Sequence, residues 1–309
     1  MDHNVEGKAV SNGISPPDFE LPFPDGPETV TENTLKLVEL TPDPRHKFIA
    51  KNLITHLHQF ISEMSITTEE WMYAIQFLTR VGQKSTPLRQ EFILLSDTLG
   101  VSALVDAINN PPANGALRAV CLGPSSLKMH PMLRTVIRSP RRGGDYMYVE
   151  GRVLSMDGTP IAGARIETWE TDSHGLYDNQ YAVRDKPDCR GRLHSDEDGR
   201  YGYRAVVPVA YPVPSDGPVG EMLLTLGRHN MRPNHLHLSI EAPGFKKLVT
   251  ALYPEGDKYL RSDAVFGVKE SLVVKLQDVD DDAEARRRGF PRGGPFKLLQ
   301  FDIIMVPKA

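Results

Sequence analysis

Cysteine is nearly absent. The 309 residues hold two, Cys121 and Cys189, which cannot build a disulfide framework and suggest a reduced, intracellular setting. No apolar run reaches the roughly 18 residues of a membrane span. Positive charge is not in excess: 36 Lys+Arg against 40 Asp+Glu leave a net charge of −4, which argues against a nucleic-acid binder. The first residues, Met1 to Glu6, lack the basic start and apolar core of a signal peptide, and a cytoplasmic location is expected. No internal repeat is visible, which excludes a solenoid. The composition that remains, 40% hydrophobic and 25% charged, is that of a globular protein. At about 150 residues per domain, two domains are expected.

The pattern divides the chain. Residues 1–34 are rich in Pro, Gly and acid, have no period, and read as an extended arm. Phe48, Ile49, Leu53, Leu57, Phe60, Ile61 and Met64 recur at three- and four-residue steps, one face of a long helix. Thr67-Thr68-Glu69-Glu70 is a capping box that opens a second helix through Trp71, Ile75 and Leu78. Thr86-Pro87 is expected to open a third, through Phe92 and Leu95 to a cap at Gly100. Ser102 is expected to cap a short fourth through Ile108. Residues 35–125 thus read as a helical and linker domain.

From Tyr146 the period becomes two. Tyr146–Leu154, Ala164–Trp169, Arg200–Pro208, His235–Glu241 and Lys297–Val306 read as strands between Gly, Pro and Asp turns. The fold expected is mainly β with an α-helical N-terminal segment, residues 126–309 forming an antiparallel β-sandwich. The charged stretch 278–295 reads as a solvated loop.

Arg232-Pro233-Asn234-His235-Leu236-His237 carries the chemistry. On a strand, His235, His237 and Ser239 share one face, and Leu236, Leu238 and Ile240 the other. Two imidazoles about 6–7 Å apart along a strand can converge on one ion. Without a CxxC pair a structural zinc site has little support. A carboxylate such as Asp178 or Asp196 would complete a facial triad. Tyr177, after a Gly175-Leu176 turn, and Tyr211, in a loop after a strand, are the other option. A phenol ionises near pH 10, so a tyrosine ligand calls for a highly charged hard metal such as ferric iron. Loop tyrosines otherwise serve mostly as packing residues.

Ordered motifs run through most of the chain: Gly151 to Ala164, Thr168-Trp169 through Gly175-Leu176-Tyr177, Gly199-Arg200-Tyr201, Val206 to Tyr211, Leu226 to His229, Arg232 to His237, Ala242-Pro243-Gly244, Gly256 to Leu260, and Asp263 to Lys269. With Arg89 to Asp97 in the helical part, they resemble the intradiol ring-cleaving dioxygenases, in the branch of catechol 1,2-dioxygenase and hydroxyquinol 1,2-dioxygenase, over about residues 35–306. The resemblance implies one non-haem ferric ion per chain, held by Tyr177, Tyr211, His235 and His237. It implies that Tyr211 leaves the ion when the substrate diol binds and takes up a proton. Arg232 would stabilise negative charge developing on the substrate. O₂ would be the co-substrate, and the ring would open between its hydroxyl-bearing carbons to a cis,cis-muconate or maleylacetate-type product. The helices resemble the family's dimerisation segment, where two subunits can enclose a phospholipid.

By the same resemblance Leu94, Asp97, Cys121, Leu122, Gly123, Ala264 and Val265 line the substrate pocket. Asp97 can accept from a third ring hydroxyl, and Ala264 leaves room; both features favour hydroxyquinol over catechol. Two departures stand out. Ala251 replaces a glutamine common in catechol enzymes, and Gly123-Pro124-Ser125 replaces Gly-Pro-Phe. A noncatalytic transthyretin-like sandwich would have no use for the two tyrosines and two histidines together. A zinc hydrolase would want a carboxylate base and an open tetrahedral site.

Overall fold

The computed structural model describes residues 11–87, 89–110, 144–181 and 187–308. The chain divides into two compact units, 1–76 and 77–309. The division falls inside a helix; the boundary expected at residue 125 lies outside the described residues.

The first unit is helical. Helix α1, Pro27–Val38, has Pro at its first turn and Gly26 before it. It begins inside the span read as an arm, because Pro at the first helical position needs no amide partner. Helix α2, Pro44–Met64, is capped by the Asp43 carboxylate on the His46 amide at 2.6 Å, and ends on Ser65 in the left-handed conformation. Thr31 Oγ1 lies 2.8 Å from His58 Nδ1 and ties α1 to α2. Helix α3, Thr68–Lys84, opens with the expected capping box: Glu70 N donates to Thr67 Oγ1 at 3.2 Å, and Thr67 N to Glu70 Oε2 at 2.9 Å.

The second unit begins within α3. Helix α4 spans Glu91–Thr98 and not Pro87 onward. Thr86 and Arg89 exchange two backbone hydrogen bonds in a tight turn that uses up the residues expected to start the helix. Helix α5, Val101–Asn109, starts on Gly100 at φ +76°, with no side-chain cap from Ser102. Val81, Leu94 and Leu95 form a small core with Val213, Val219 and Leu223.

Two five-stranded sheets follow. The first contains β1 (Tyr146–Ser155); the second, β2 (Arg165–Glu170) and β3 (Arg190–His194). β4 (Arg200–Val206) pairs with β1; β5 (Tyr211–Pro212) lies outside both sheets; helix α6 is Pro218–Thr225. β6 (Met231–Arg232) pairs with β5, and β7 (Leu236–Glu241), β8 (Leu248–Pro254) and β9 (Val273–Val274) continue the second sheet. β10 (Gln277–Val279), helix α7 (Asp282–Arg287), β11 (Phe296–Gln300) and β12 (Ile303–Met305) complete the first half-sandwich. The orders are β10-β11-β1-β12, with β4 also on β1, and β3-β2-β7-β8-β9. Met147, Val149, Val153 and Leu299 from one sheet and Ile166, Leu236, Leu238 and Ile240 from the other share one core.

The antiparallel expectation needs correction at three pairings: β1 runs parallel to β11 and β12, and β8 parallel to β9. The strand read as Lys297–Val306 is two, split at Phe301. There Gly151 is obligatory, because a Cβ would lie 1.8 Å from the Phe301 carbonyl oxygen. Residues 278–295 are largely exposed, as expected, but they are ordered rather than a loop. Asp281 caps α7, and Arg288 pairs with Glu150 and Glu284 and lies over the Tyr148 ring. Among the described residues no helix is long and apolar enough to cross a membrane.

Candidate active site

β7 has two working faces. Leu236, Leu238 and Ile240 are fully buried in the sandwich core, as alternation predicts. The opposite face, with His237 and Ser239, is also buried. Trp169 on β2 and Ala251 on β8 stand in register with His237 on either side. His235 immediately precedes the strand, and its ring lies 4.7 Å from that of His237, perpendicular to it.

Four short devices bring the other groups in. After β2, Asp172 accepts the His174 and Leu176 amides, and Gly175 turns the chain at φ +75°. A Cβ on Gly175 would meet Tyr211 Cβ at 3.0 Å, so glycine admits the second tyrosine. Tyr177 is fixed through its amide, which donates to Gln180 Oε1 at 2.7 Å. The next residue, Asp178, forms a buried ion pair with Arg190 of β3. The β5–β6 ribbon sets Tyr211 directly opposite Arg232.

The polar atoms converge. Tyr177 Oη lies 3.0 Å from Tyr211 Oη, and Tyr211 Oη lies 3.4 Å from His235 Nε2. Arg232 Nη1 reaches both Tyr211 Oη at 3.4 Å and His235 Nε2 at 3.2 Å. His235 Nδ1 donates to the Pro233 carbonyl at 2.8 Å, which leaves the Nε2 lone pair facing this centre. Burial pushes both imidazole pKa values well down; the Arg232 charge adds to this at His235, and His235 and Arg232 add to it at His237. Both rings are therefore neutral lone-pair donors at pH 7. Burial, with Tyr211 beside it, pushes the Tyr177 phenol well above its ordinary value. A strongly charged cation is needed to ionise it there.

Neither carboxylate considered for a facial triad joins the set. Asp178 is taken by Arg190, and exposed Asp196 accepts the Asp198 and Arg200 amides in a turn. Among the described residues no group of three or more His, Cys, Asp and Glu could hold an ion; the converging donors are two phenols and two imidazoles.

These groups open onto a cavity of about 310 Å³, lined in part by Leu94, Asp97, Tyr177, Tyr211, Arg232, His237, Val265 and Phe266. Asp97 is buried, and burial raises its pKa, opposed by Ser102 and Arg232. Ala264 does not line the cavity. It is buried, its amide donates to the Met231 carbonyl and its carbonyl accepts from Arg228; Val265, Phe266 and Gly267 supply the wall instead. Cys121, Leu122 and Gly123 lie outside the described residues, as does the Gly123-Pro124-Ser125 departure.

Two groups escaped the sequence reading. Asp263 accepts from Arg232 Nε and Nη2 at 3.2 and 3.3 Å and from the Gly267 amide at 2.9 Å, so one carboxylate holds both the arginine and the pocket wall. Tyr253 Oη lies 3.4 Å from Arg232 Nη2. Asp263 stood in a matching motif, but the sequence alone does not pair it with an arginine 31 residues away.

Residues 124–306 match the family described as Dioxygenase, and residues 43–116 match the catechol dioxygenase N terminus. An intradiol ring-cleavage dioxygenase of Aspergillus niger is 41% identical over 280 residues, covering 90% of this chain and 84% of the relative. The chain belongs to the intradiol ring-cleaving dioxygenases. This intradiol dioxygenase is also 45% identical to a hydroxyquinol 1,2-dioxygenase of a Rhizobium species over 266 residues, 85% of this chain and 90% of that one. The solved hydroxyquinol 1,2-dioxygenase of Pseudomonas putida superposes with a TM-score of 0.83 at 41% identity, over 91% of this chain and 99% of that one. Non-haem iron is the family's metal, and membership sets aside both the noncatalytic sandwich and the zinc hydrolase.

Proposed function

We propose that this dioxygenase opens ortho-diphenols between their hydroxyl-bearing carbons, at a ferric ion held by Tyr177, Tyr211, His235 and His237, with hydroxyquinol preferred over catechol. The observation that carries this is the convergence of two phenols and two neutral imidazoles, with Tyr177 Oη, Tyr211 Oη and His235 Nε2 linked by contacts of 3.0 and 3.4 Å on a cavity wall. The donor set fits the ion: it is oxygen and nitrogen only, hard and able to become dianionic. A bound ferric ion would supply the charge that ionises the phenols, a chelation site for the two diol oxygens and activation of the ring toward O₂.

The chain's own residues divide the remaining work. Tyr177 is buried and anchored by Gln180, and is the permanent oxygen donor. Tyr211 is half-buried on a two-residue strand, so it can swing aside and accept a diol proton. Arg232, locked by Asp263, keeps its charge in place beside the reacting centre. Asp97 shares the cavity with these groups and is an acceptor for a third ring hydroxyl. A site built to receive a hydroxyl discriminates strongly against the analogue without one.

Side-by-side kcat/KM values for hydroxyquinol and catechol test the reading. The expected ratio exceeds one and falls on Asp97→Ala. A ratio that does not move would make catechol the better assignment. Purified protein should also be coloured by tyrosinate-to-ferric charge transfer, and Tyr177→Phe should remove most of that band; active, colourless wild-type protein would sink the ferric assignment.

We also propose that the helices over 35–110 form a homodimer interface that can hold a phospholipid. What supports this is the apolar face of α2, where Phe48, Leu53, Leu57 and Phe60 are all at least half exposed. Monomeric proteins rarely leave so large an apolar patch open.

A further inference from the structure

The two histidines of the site are held by different means. His235 Nδ1 donates to the Pro233 carbonyl at 2.8 Å. His237 Nδ1 is buried and has no hydrogen-bond partner among the described residues. A metal-ligating imidazole ordinarily donates its second N–H to an acceptor that fixes the ring plane. Among the described residues His237 has no such anchor. On the β8 side its register partner is Ala251, a methyl group with nothing to offer. On the β2 side its register partner is Trp169. The indole lies flat on the imidazole, with ring centroids 4.8 Å apart and planes within 13°.

Trp169 is 2% exposed, and its own Nε1–H has no partner among the described residues. Leaving a buried N–H unpaired is a cost that leucine or another aliphatic residue at this position would not carry. Filling space therefore does not account for the indole; its face does.

We infer that Trp169 is the positioning residue for His237, its indole face fixing the imidazole plane that a hydrogen bond fixes at His235. The inference rests on the ferric reading above. One consequence is an unequal pair of nitrogen donors. The carbonyl-bonded His235 is the more basic ligand, and His237, stacked and without an acceptor, the less basic.

The test compares Trp169→Leu and Trp169→Phe with Ile166→Val, which trims the core face of the same strand. Each protein is loaded with ferric salt. Chelator competition then gives iron affinity, and absorption gives the tyrosinate band. Trp169→Leu, folded by circular dichroism, should bind iron about tenfold or more weakly, as loss of a ligand's supporting group typically does, and its band should shift. Trp169→Phe keeps a flat ring and should fall between, while Ile166→Val should match wild type. In metal-free protein, the His237 Cε1–H resonance should lose its indole ring-current shift in Trp169→Leu and keep it in Ile166→Val. Wild-type affinity and band in Trp169→Leu would overturn the inference, as would an unmoved His237 resonance. If Trp169→Leu does not fold, Trp169→Phe decides: wild-type affinity, band and resonance together overturn it. A wild-type chain that takes up no ferric ion would defeat the ferric reading instead, and the metal-free resonance would still decide the stack.

Discussion

Arg232 has one charge and four polar neighbours, Asp263, Tyr253, Tyr211 and His235. Nε and Nη2 go to Asp263, and Nη1 points at Tyr211 and His235. Burial disfavours the charge, but Tyr211, Asp263 and Tyr253 outweigh it and hold the pKa well above the ordinary arginine value. Lysine at 232 would keep a charge and lose the planar fork that meets Asp263 on one side and the reacting centre on the other. Arg232→Lys should retain iron and lose on the order of a hundredfold in kcat; a variant within twofold of wild type would make the arginine structural. Glu170 gives a second prediction, on stability. Its carboxyl is fully buried, accepts only the Val206 amide at Oε1, and has no partner at Oε2 among the described residues. Burial raises its pKa well above the ordinary carboxylate value. The folded chain therefore keeps a proton that the unfolded chain releases above about pH 4.3. The stability that Glu170 contributes is fully present below that pH. It is lost at up to about 1.4 kcal/mol per pH unit as pH rises toward the folded pKa. Glu170→Gln should thus gain on wild type as pH rises, measured by urea unfolding at pH 4 and pH 8. A difference independent of pH would show that Glu170 binds no extra proton in the fold.

Elements turn these residues into a site, and they were unequally legible in the sequence. β7 was readable because alternation is a local property: Leu236, Leu238 and Ile240 against His235 and His237. β8 was not. Leu248-Val249-Thr250-Ala251-Leu252-Tyr253-Pro254 is buried on nearly every residue, so no alternation marks it. β3 is Arg190-Gly191-Arg192-Leu193-His194, a polar stretch whose burial depends on partners elsewhere. Arg192 pairs with Glu167, and Arg190 with Asp178. The parallel pairings escaped for the same reason, since no local pattern says which distant strand lies alongside. The two expected tyrosine ligands were legible only through ordered motifs, because nothing local distinguishes Tyr177 from a packing tyrosine. The element-scale prediction follows from β3. Arg190 and Asp178 are both nearly inaccessible, and their pair pins the 3₁₀ turn Asp178–Gln180 directly after Tyr177. Arg190→Met alone leaves a buried carboxylate without its partner, and should cost about 3–5 kcal/mol in denaturant melts. Replacing both partners, Arg190→Met with Asp178→Leu, should cost less than either single change. A double variant as unstable as the sum of the singles would mean the two side chains act independently.

For the whole molecule, the question is what covers the helices of the first unit. In α1 and α2 no residue is buried, and in α3 only Val81, which belongs to the second unit, is. A 21-residue amphipathic helix such as α2 gains little from propensity alone; helices in proteins are stabilised mostly by packing an apolar face. Ile49, Leu53, Leu57, Phe60 and Met64 recur on one side and are between 47% and 64% exposed, so that packing is still to come. In the proposed homodimer a second copy would supply it with the same stripe, since two-fold pairing makes each patch its own complement. Light scattering at micromolar protein should therefore give a particle of twice the 34.4 kDa chain mass. Leu57→Lys with Phe60→Asp should shift it toward the chain mass. Because the cavity residues lie within 77–309, the separated chains should keep their colour and tyrosinate band. A wild-type particle at the single-chain mass would remove the dimer, and loss of the band in a monomeric variant would mean that the site depends on the partner.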